Sequence, residues 1–173
     1  MTKTELAKQI REASYLTGEF TLRSGNISNF YWDKYRFESD PVLLRAIAKE
    51  MAKLLPSTCE GLAGLELGGI PLATALSMQT GLPCFYVRKE AKTYGTCNLI
   101  EGGATEGSTL VVIEDVITTA GQVCTSIEQI RAAGYNVEHV IAVIDREAGG
   151  GAKIVALGCS FAPVFTLTEL ERK

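Results

Sequence analysis

Apolar residues recur at helical spacing in two stretches near the N-terminus. The first predicts a helix from about Thr4. The second predicts a helix over 40–55, which Asp40 can cap and Pro41 can open. The apolar faces consist of Leu6, Ile10 and Ala13 in the first helix and Leu44, Ile47, Met51 and Leu55 in the second. Between the helices, residues 20–37 are rich in aromatics that alternate with other residues, which predicts strands.

A strand–helix unit follows in the middle of the chain. GLAGLE (61–66) predicts a buried strand, and LGG (67–69) predicts a tight loop. Pro71 opens the predicted helix and Gly81 ends it. CFYV (84–87) is then the next strand.

A second unit lies in the C-terminal half. Its pattern predicts a strand that ends at Ile113, a helix from about Gly121 to Ala133 closed by Gly134, and a strand at 139–144. Strands and helices that alternate with short joins form parallel crossovers. We therefore predict an α/β fold: a doubly wound, mainly parallel sheet within a single domain, 1–173.

Residues 88–107 show no apolar period and include four glycines. We predict a long loop here that can contain a hairpin. A segment of this length without regular structure in a small domain is typical of an active-site lid or of disorder.

Composition narrows the possible partners. The net charge of −3 gives no reason to expect nucleic acid or an anionic membrane surface. The longest apolar run is five residues, 140–144, and the N-terminus lacks the apolar stretch of a signal peptide, so we expect a cytoplasmic protein. The five cysteines form no CxxC pair, which argues against disulfides and structural zinc.

The stretch LVVIEDVITTAGQ (110–122) carries the most chemistry. An apolar run leads to two adjacent carboxylates, Glu114 and Asp115, and then to Thr118 and Thr119 before the predicted helix. In parallel sheets, ligands bind where strands end and the next helices begin. Backbone N–H groups and hydroxyls at such a helix start suit a phosphate, whereas the carboxylates suit the hydroxyls of a sugar or a hard cation. An ordinary solvated strand end remains the alternative.

The same stretch resembles the phosphoribosyl diphosphate (PRPP) motif of the type I phosphoribosyltransferases. The sequence contains no GxGxxG dinucleotide fingerprint. It also contains no P-loop, because the nearest candidate for that motif, 102–108, lacks the lysine and precedes a strand instead of a helix. Members of the family commonly have glycine where Ala120 stands. This departure matters only if the position needs a positive φ.

Four further stretches resemble the orotate phosphoribosyltransferases in particular. FTLRSGNISNFYWD (20–33) is similar to their N-terminal segment, and GGIPLA (68–73) to the start of a helix. VRKEAKTYGTCNLIEG (87–102) is similar to their mobile catalytic loop, and DREAGG (145–150) to their D-R-E-x-G-G element. The resemblance implies a type I fold with a small N-terminal hood and a long mobile loop.

The resemblance also implies the site residues. Those implied for PRPP are Arg23, Arg88, Lys89, Lys92, Tyr94, Glu114, Asp115, Val116, Ile117, Thr118, Thr119, Ala120, Gly121 and Gln122. Those implied for orotate are Tyr31, Trp32, Thr118 and Arg146, whose guanidinium suits a carboxylate. Lys89, Lys92 and Asp115 are the predicted catalytic residues. No protein side chain is expected to bind the metal directly, because Mg²⁺ would be held mainly through PRPP.

Several of these residues have simpler alternatives. The basic residues at 88–92 can form a solvated charge run, and the aromatic pair Tyr31 and Trp32 can belong to the core. Arg146 can pair with Asp145 or Glu147. The only histidine, His139, begins a strand, and we assign it no catalytic role.

Two departures from the family stand out. Tyr94 replaces a histidine of many bacterial members. Leu67 and Gly68 replace a common Tyr-Lys pair, which removes one diphosphate contact unless the backbone amides of Gly68 and Gly69 substitute for it.

The resemblance predicts transfer of the phosphoribosyl group of PRPP to orotate, with Mg²⁺ as cofactor. It also implies a homodimer in which each loop 88–107 serves the neighbouring site. Two alternatives are a phosphoribosyltransferase for another base and a regulator of the same fold that senses PRPP without catalysis. Arg146 favours orotate over other bases, and the basic loop argues against a sensor, which has no leaving group to stabilise.

Overall fold

The protein was analysed as a computed structural model that describes residues 1–21, 25–90 and 98–172. The helices are α1 (Lys3–Ser14), α2 (Tyr35–Ser39), α3 (Pro41–Ala52), α4 (Gly69–Thr80), α5 (Gly121–Ala132), α6 (Gly150–Ala156) and α7 (Leu167–Glu171). The strands are β1 (Tyr15–Thr21), β2 (Ile27–Trp32), β3 (Gly61–Leu65), β4 (Cys84–Val87), β5 (Ile100–Glu101), β6 (Thr109–Ile117), β7 (Asn136–Asp145) and β8 (Ser160–Thr166).

Six strands form the central sheet in the order β5-β4-β3-β6-β7-β8. All neighbours are parallel except β5, which runs antiparallel to β4 at one edge. The predicted fold class, a mainly parallel α/β sheet, is therefore confirmed. The antiparallel β5 lies in the stretch that we predicted to be a loop with a possible hairpin.

Helices cover both faces of the sheet, which explains the near-continuous apolar strands. Val111 and Ile113 of β6 pack with α1, α3 and α4, whereas Leu110 and Val112 pack with α5 and α6. This alternation follows from the two-residue period of a strand. At β3, Gly64 lets α4 approach closely, because an added Cβ would lie 2.7 Å from the carbonyl oxygen of Gly69.

The N-terminal segment 15–39, which we call the hood, contains the antiparallel hairpin β1–β2 and the short helix α2. Tyr15 stacks on Phe30 and meets the edge of Trp32, with 5.6 Å between ring centroids in both pairs. The prediction of strands over 20–37 is wrong for its last part. Residues 35–39 form α2, because tertiary packing buries the side chain of Phe37 completely.

Other element boundaries also differ from the prediction, among them that of β7, which spans Asn136–Asp145 and not 139–144. Strand β6 continues past Ile113 to Ile117, since its ladder with β7 continues to the pair Ile117–Asp145. The acid pair therefore lies within a strand and not after one. Helix α4 begins at Gly69, two residues before Pro71.

The start of the helix predicted from Asp40 is confirmed, because the Asp40 carboxylate accepts hydrogen bonds from the backbone N–H groups of Val42 and Leu43 at 2.8 and 3.1 Å. The helix ends at Ala52, before the predicted Leu55. Within the residues described, none of the helices is both long enough and apolar enough to span a membrane.

Candidate functional site

Two loops meet at the carboxyl end of the sheet. Residues 118–120 join β6 to α5, and residues 146–149 join β7 to α6. The backbone N–H of Arg146 donates to Ile117 O at 2.9 Å, and that of Gly150 donates to Thr118 O at 3.0 Å. Gly150 permits this approach, because an added Cβ would lie 2.6 Å from the Thr118 carbonyl oxygen. The TTAG and DREAGG motifs are thus parts of one site.

Ala120 is the last residue of the loop that joins β6 to α5. Its backbone has φ 55° and ψ 16°, the left-handed conformation that glycine adopts without strain. The departure from the family's glycine therefore falls on a position that does need a positive φ. Gly121, the next residue, has no heavy atom within 4 Å of an added Cβ, so the start of α5 is open to a ligand.

The two acids differ in their surroundings. Glu114 is partly buried, whereas the side chain of Asp115 is completely buried and lies 2.5 Å from Nζ of Lys34. The Asp115 carboxylate also accepts a hydrogen bond from the backbone N–H of Val116. A solvated strand end does not describe this geometry, because a buried carboxylate needs partners that compensate for its lost hydration.

Charge is concentrated around Asp115. Burial and then the charge of Asp115 raise the pKa of Glu114 well above its ordinary value. Burial and the same charge raise the pKa of Glu38 to about 8. Burial alone would lower the pKa of Lys34, but its contact with Asp115 and the charge of Glu114 outweigh burial, and the pKa is raised. The cluster therefore contains one ion pair, Lys34–Asp115, and burial beside it disfavours the charged forms of Glu38 and Glu114.

A cavity of about 340 Å³ opens between the hood and the two loops. Tyr31 and Trp32 line it from β2, Thr118 and Arg146 line it from the loops, and Lys34 lies at its wall. Aromatic walls and cations suit a flat anionic ring. Trp32 also packs against the core, so the core interpretation holds for it in part, whereas Tyr31 is 45% exposed.

The carboxylates beside Arg146 have other partners. Asp145 accepts a hydrogen bond from the backbone N–H of Glu147 at 2.9 Å. Glu147, at φ 56°, accepts from the backbone N–H and the hydroxyl of Thr168 at 2.8 and 2.6 Å. These bonds from Thr168 lower the pKa of Glu147. The local alternative, in which Arg146 serves only to pair with these acids, is therefore not supported.

The start of the basic loop lies beside the segment before α4. The backbone N–H of Lys89 donates to the Glu66 carboxylate at 3.2 Å, and Nε of Arg88 lies 3.9 Å from Oε1 of Glu101. These residues, except Lys89, border a second cavity of about 320 Å³ together with Leu67. Three predicted site residues, Arg23, Lys92 and Tyr94, lie outside the described residues.

Lys34 and Glu38 are site residues that the sequence did not reveal. Lys34 directly follows the quoted segment 20–33, and Glu38 directly follows the stretch 20–37 that was predicted to form strands. The spacing of charges in the sequence gave no signal for either residue. Their approach to Asp115 depends on how the hood packs against β6.

No protein-family model matches the chain. Curated relatives match nearly the whole chain. The chain is 49% identical over 166 residues to the orotate phosphoribosyltransferase of Nocardioides sp. (strain ATCC BAA-499 / JS614), and the match covers 96% of this chain and 93% of that one. It is 41% identical over 168 residues to the orotate phosphoribosyltransferase of Methanocella arvoryzae, covering 96% of both chains.

Solved structures agree with these relatives. The orotate phosphoribosyltransferase of Mycobacterium tuberculosis H37Rv in complex with Fe(III) dicitrate has a TM-score of 0.88 and 32% identity, covering 98% of this chain and 99% of that chain. The same enzyme in complex with PRPP gives a TM-score of 0.83 and 30% identity over the same shares of the two chains.

Proposed function

We infer the chemistry of this site from one premise: the chain belongs to the orotate phosphoribosyltransferase family. It is a pentosyltransferase of pyrimidine biosynthesis that transfers the phosphoribosyl group of PRPP to orotate, giving orotidine 5′-phosphate and diphosphate. The single observation that carries the residue assignment is the pair of backbone hydrogen bonds that joins the TTAG loop to the DREAGG loop at the mouth of the aromatic cavity.

We assign orotate to that cavity. Its ring would lie against Tyr31 and Trp32, and its carboxylate would receive paired hydrogen bonds from the Arg146 guanidinium. Thr118 lines the same cavity and also belongs to the phosphate loop, so it would contact both substrates. This arrangement favours orotate over bases that carry no carboxylate.

PRPP would bind along the end of β6. The N–H groups of 118–122 at the start of α5 would hold the 5′-phosphate, and Glu114 and Asp115 would accept hydrogen bonds from the ribose hydroxyls. The diphosphate would face Arg88 and Lys89. Lys92, Tyr94 and Arg23 remain assigned to PRPP from the family pattern alone.

We propose that Mg²⁺ would be held mainly by PRPP. Within the described residues, no group of three or more His, Cys, Asp or Glu side chains could hold a metal, and Asp115 already has Lys34 as its cationic partner. When bound through PRPP oxygens, the ion would act as a Lewis acid for the diphosphate and as a template. Full activity in excess chelator would contradict this role.

Charge determines what the residues do in the reaction. Displacement of diphosphate builds positive charge on the ribose and negative charge on the leaving group. Cations of the 88–107 loop would stabilise the leaving group, and Glu114 and Asp115 would orient the ribose. Orotate's ring nitrogen already carries developing negative charge, so catalysis depends on positioning and electrostatics and needs no protein nucleophile.

The activity is tested with purified protein, PRPP, Mg²⁺ and a panel of bases. We expect loss of orotate absorbance and formation of orotidine 5′-phosphate, with little or no product from adenine, guanine or uracil. Turnover of another base in preference to orotate would overturn the assignment of Arg146. Tight PRPP binding without turnover of any base would instead favour a PRPP-sensing regulator.

We further propose a homodimer in which the loop 88–107 of each subunit completes the neighbouring site. The support is the loop's polarity and the family pattern of its basic positions. Lys92→Ala removes a cation only from the loop that completes the neighbouring site. Asp115→Ala damages only the pocket of the subunit that carries it. Random exchange between the two inactive variants would restore about a quarter of wild-type activity, because half of the dimers are mixed and each has one intact site. If activity does not recover although subunit exchange is demonstrated, the loop serves the pocket of its own subunit.

A further inference from the structure

We propose that Lys34 is a positioning residue of the transfer reaction: its ammonium group holds the Asp115 carboxylate in the orientation that binds the ribose of PRPP. The inference rests on the proposed placement of Asp115 at the ribose. It concerns a residue of the hood, in a different part of the chain from the PRPP motif.

The contact joins two separate layers of the molecule. Lys34 stands at the start of α2, and its Nζ reaches across to Oδ2 of Asp115 on β6 at 2.5 Å. Oδ1 of Asp115 accepts from the backbone N–H of Val116. Each carboxylate oxygen therefore has one fixed partner, and a carboxylate can accept about four hydrogen bonds in all. The side chains of Glu38 and Glu114 also form hydrogen bonds with Asp115, so its carboxylate is held from several sides.

Asp115 needs this cation because of where it lies. Its side chain is completely buried, and the carboxyl groups of Glu38 and Glu114 lie close enough to interact with it. Of the cations in the described part of the chain, Lys34 is the one within ion-pair distance of Asp115. A buried carboxylate without a cation either takes up a proton or moves toward solvent, and in both cases it becomes a weaker acceptor for ribose hydroxyls.

The loop before α4 cannot supply the cation in this chain. Residue 68 is glycine, and any side chain there would overlap the Asp115 carboxylate, because an added Cβ would fall on that group. The space beside Asp115 is therefore closed from the α4 side and is reached by Lys34 from the hood. Lys34 also lines the orotate cavity with Trp32 and Arg146, so the hood couples the base pocket to the ribose acids.

The test compares Lys34→Met, which keeps the length of the side chain without its charge, with wild type. Isothermal titration calorimetry measures PRPP binding without turnover. We expect the KM and the Kd for PRPP to rise at least tenfold and the KM for orotate to change less than twofold. Lys34→Arg should recover part of the PRPP affinity. The control is Lys53→Met, which removes an exposed lysine that pairs with Glu50 and should change nothing.

A lysine that only stabilises the fold would lower the melting temperature and the active fraction without raising the KM for PRPP selectively. That result, or an unchanged or lower KM for PRPP, would overturn the proposal. If Lys34→Met does not fold, the double variant Lys34→Met/Asp115→Asn removes both charges together, which buried pairs tolerate better. Its Kd for PRPP should lie within twofold of that of Asp115→Asn alone, because Lys34 acts through Asp115. A further large loss would show an independent role and would also overturn the proposal.

The assay separates this inference from the proposed function. If wild type does not convert orotate, the function assignment fails. If wild type is active and Lys34→Met has normal PRPP kinetics, only the role of Lys34 fails.

Discussion

Gly68→Ala is the smallest change that should disturb the Asp115 site. Gly68 has φ −68° and ψ −29°, which alanine adopts freely, so backbone strain contributes nothing. The cost is steric, because an added Cβ would overlap the Asp115 carboxylate and lie 3.1 Å from its Cβ. The carboxylate must move, and it then loses the 2.5 Å contact with Lys34.

The size of the effect follows from that broken pair. Separating one partner from a buried ion pair costs about 3–5 kcal/mol. Lys34 is 35% exposed and can regain water, so the lower end, about 3 kcal/mol, applies. For a protein of this length, that corresponds to a fall in melting temperature of about 6–12 °C. PRPP affinity should fall as well, because Asp115 no longer faces the ribose.

Thermal unfolding followed by circular dichroism measures the stability, and isothermal titration calorimetry measures PRPP binding. The matched control repeats Gly68→Ala in an Asp115→Ala background, where the overlapping carboxylate is gone. In that background, Gly68→Ala should lower the free energy of unfolding by about 1 kcal/mol or less, because the two substitutions act on the same contact and their effects are not additive. A melting temperature within about 2 °C of wild type, with unchanged PRPP affinity, would refute the steric reasoning.

Three further predictions concern neighbouring residues. Arg146→Ala should raise the KM for orotate by about 10- to 150-fold, the loss of a charged hydrogen bond of about 1.5–3 kcal/mol, with PRPP affinity nearly unchanged; an equal loss of PRPP affinity would misplace Arg146. Ala120→Gly removes about 1 kcal/mol of strain from the left-handed backbone of the folded state, but it also raises the conformational entropy of the unfolded state. Because the two effects oppose each other, the free energy of unfolding in urea should stay within about 1 kcal/mol of wild type. Ala120→Val should be clearly less stable, and equal stability would argue against the positive φ. Glu38 has a folded pKa of about 8, above its ordinary value of 4.5, so the folded state binds more protons and wild type should lose stability as pH rises from 4.5 to 8. Glu38→Gln should flatten this decline in melting temperature, and an identical pH profile would exclude Glu38 as its source.

Much of this protein was determined by local sequence. Asp40 caps the start of α3 through bonds from the next residues, and Pro41 fits its first position. The apolar strands with their intervening helices predicted the parallel sheet. The stretch 110–122 predicted a ligand site because it contains a strand, a loop and a helix start in direct succession. Such features depend on neighbours within a few positions, so periodicity and capping rules can detect them.

Tertiary structure decided the rest. The prediction ended β6 at Ile113, but pairing with β7 carries it through the acids, and burial of Phe37 turns a predicted strand into α2. The sequence showed that alanine replaces the family's glycine at position 120, but only the structure showed that this position has a left-handed φ. The Lys34–Asp115 pair and the need for glycine at 68 join segments far apart in the chain. No local period encodes such contacts, because they arise only when the hood and α4 pack against the end of β6 and share one buried charge.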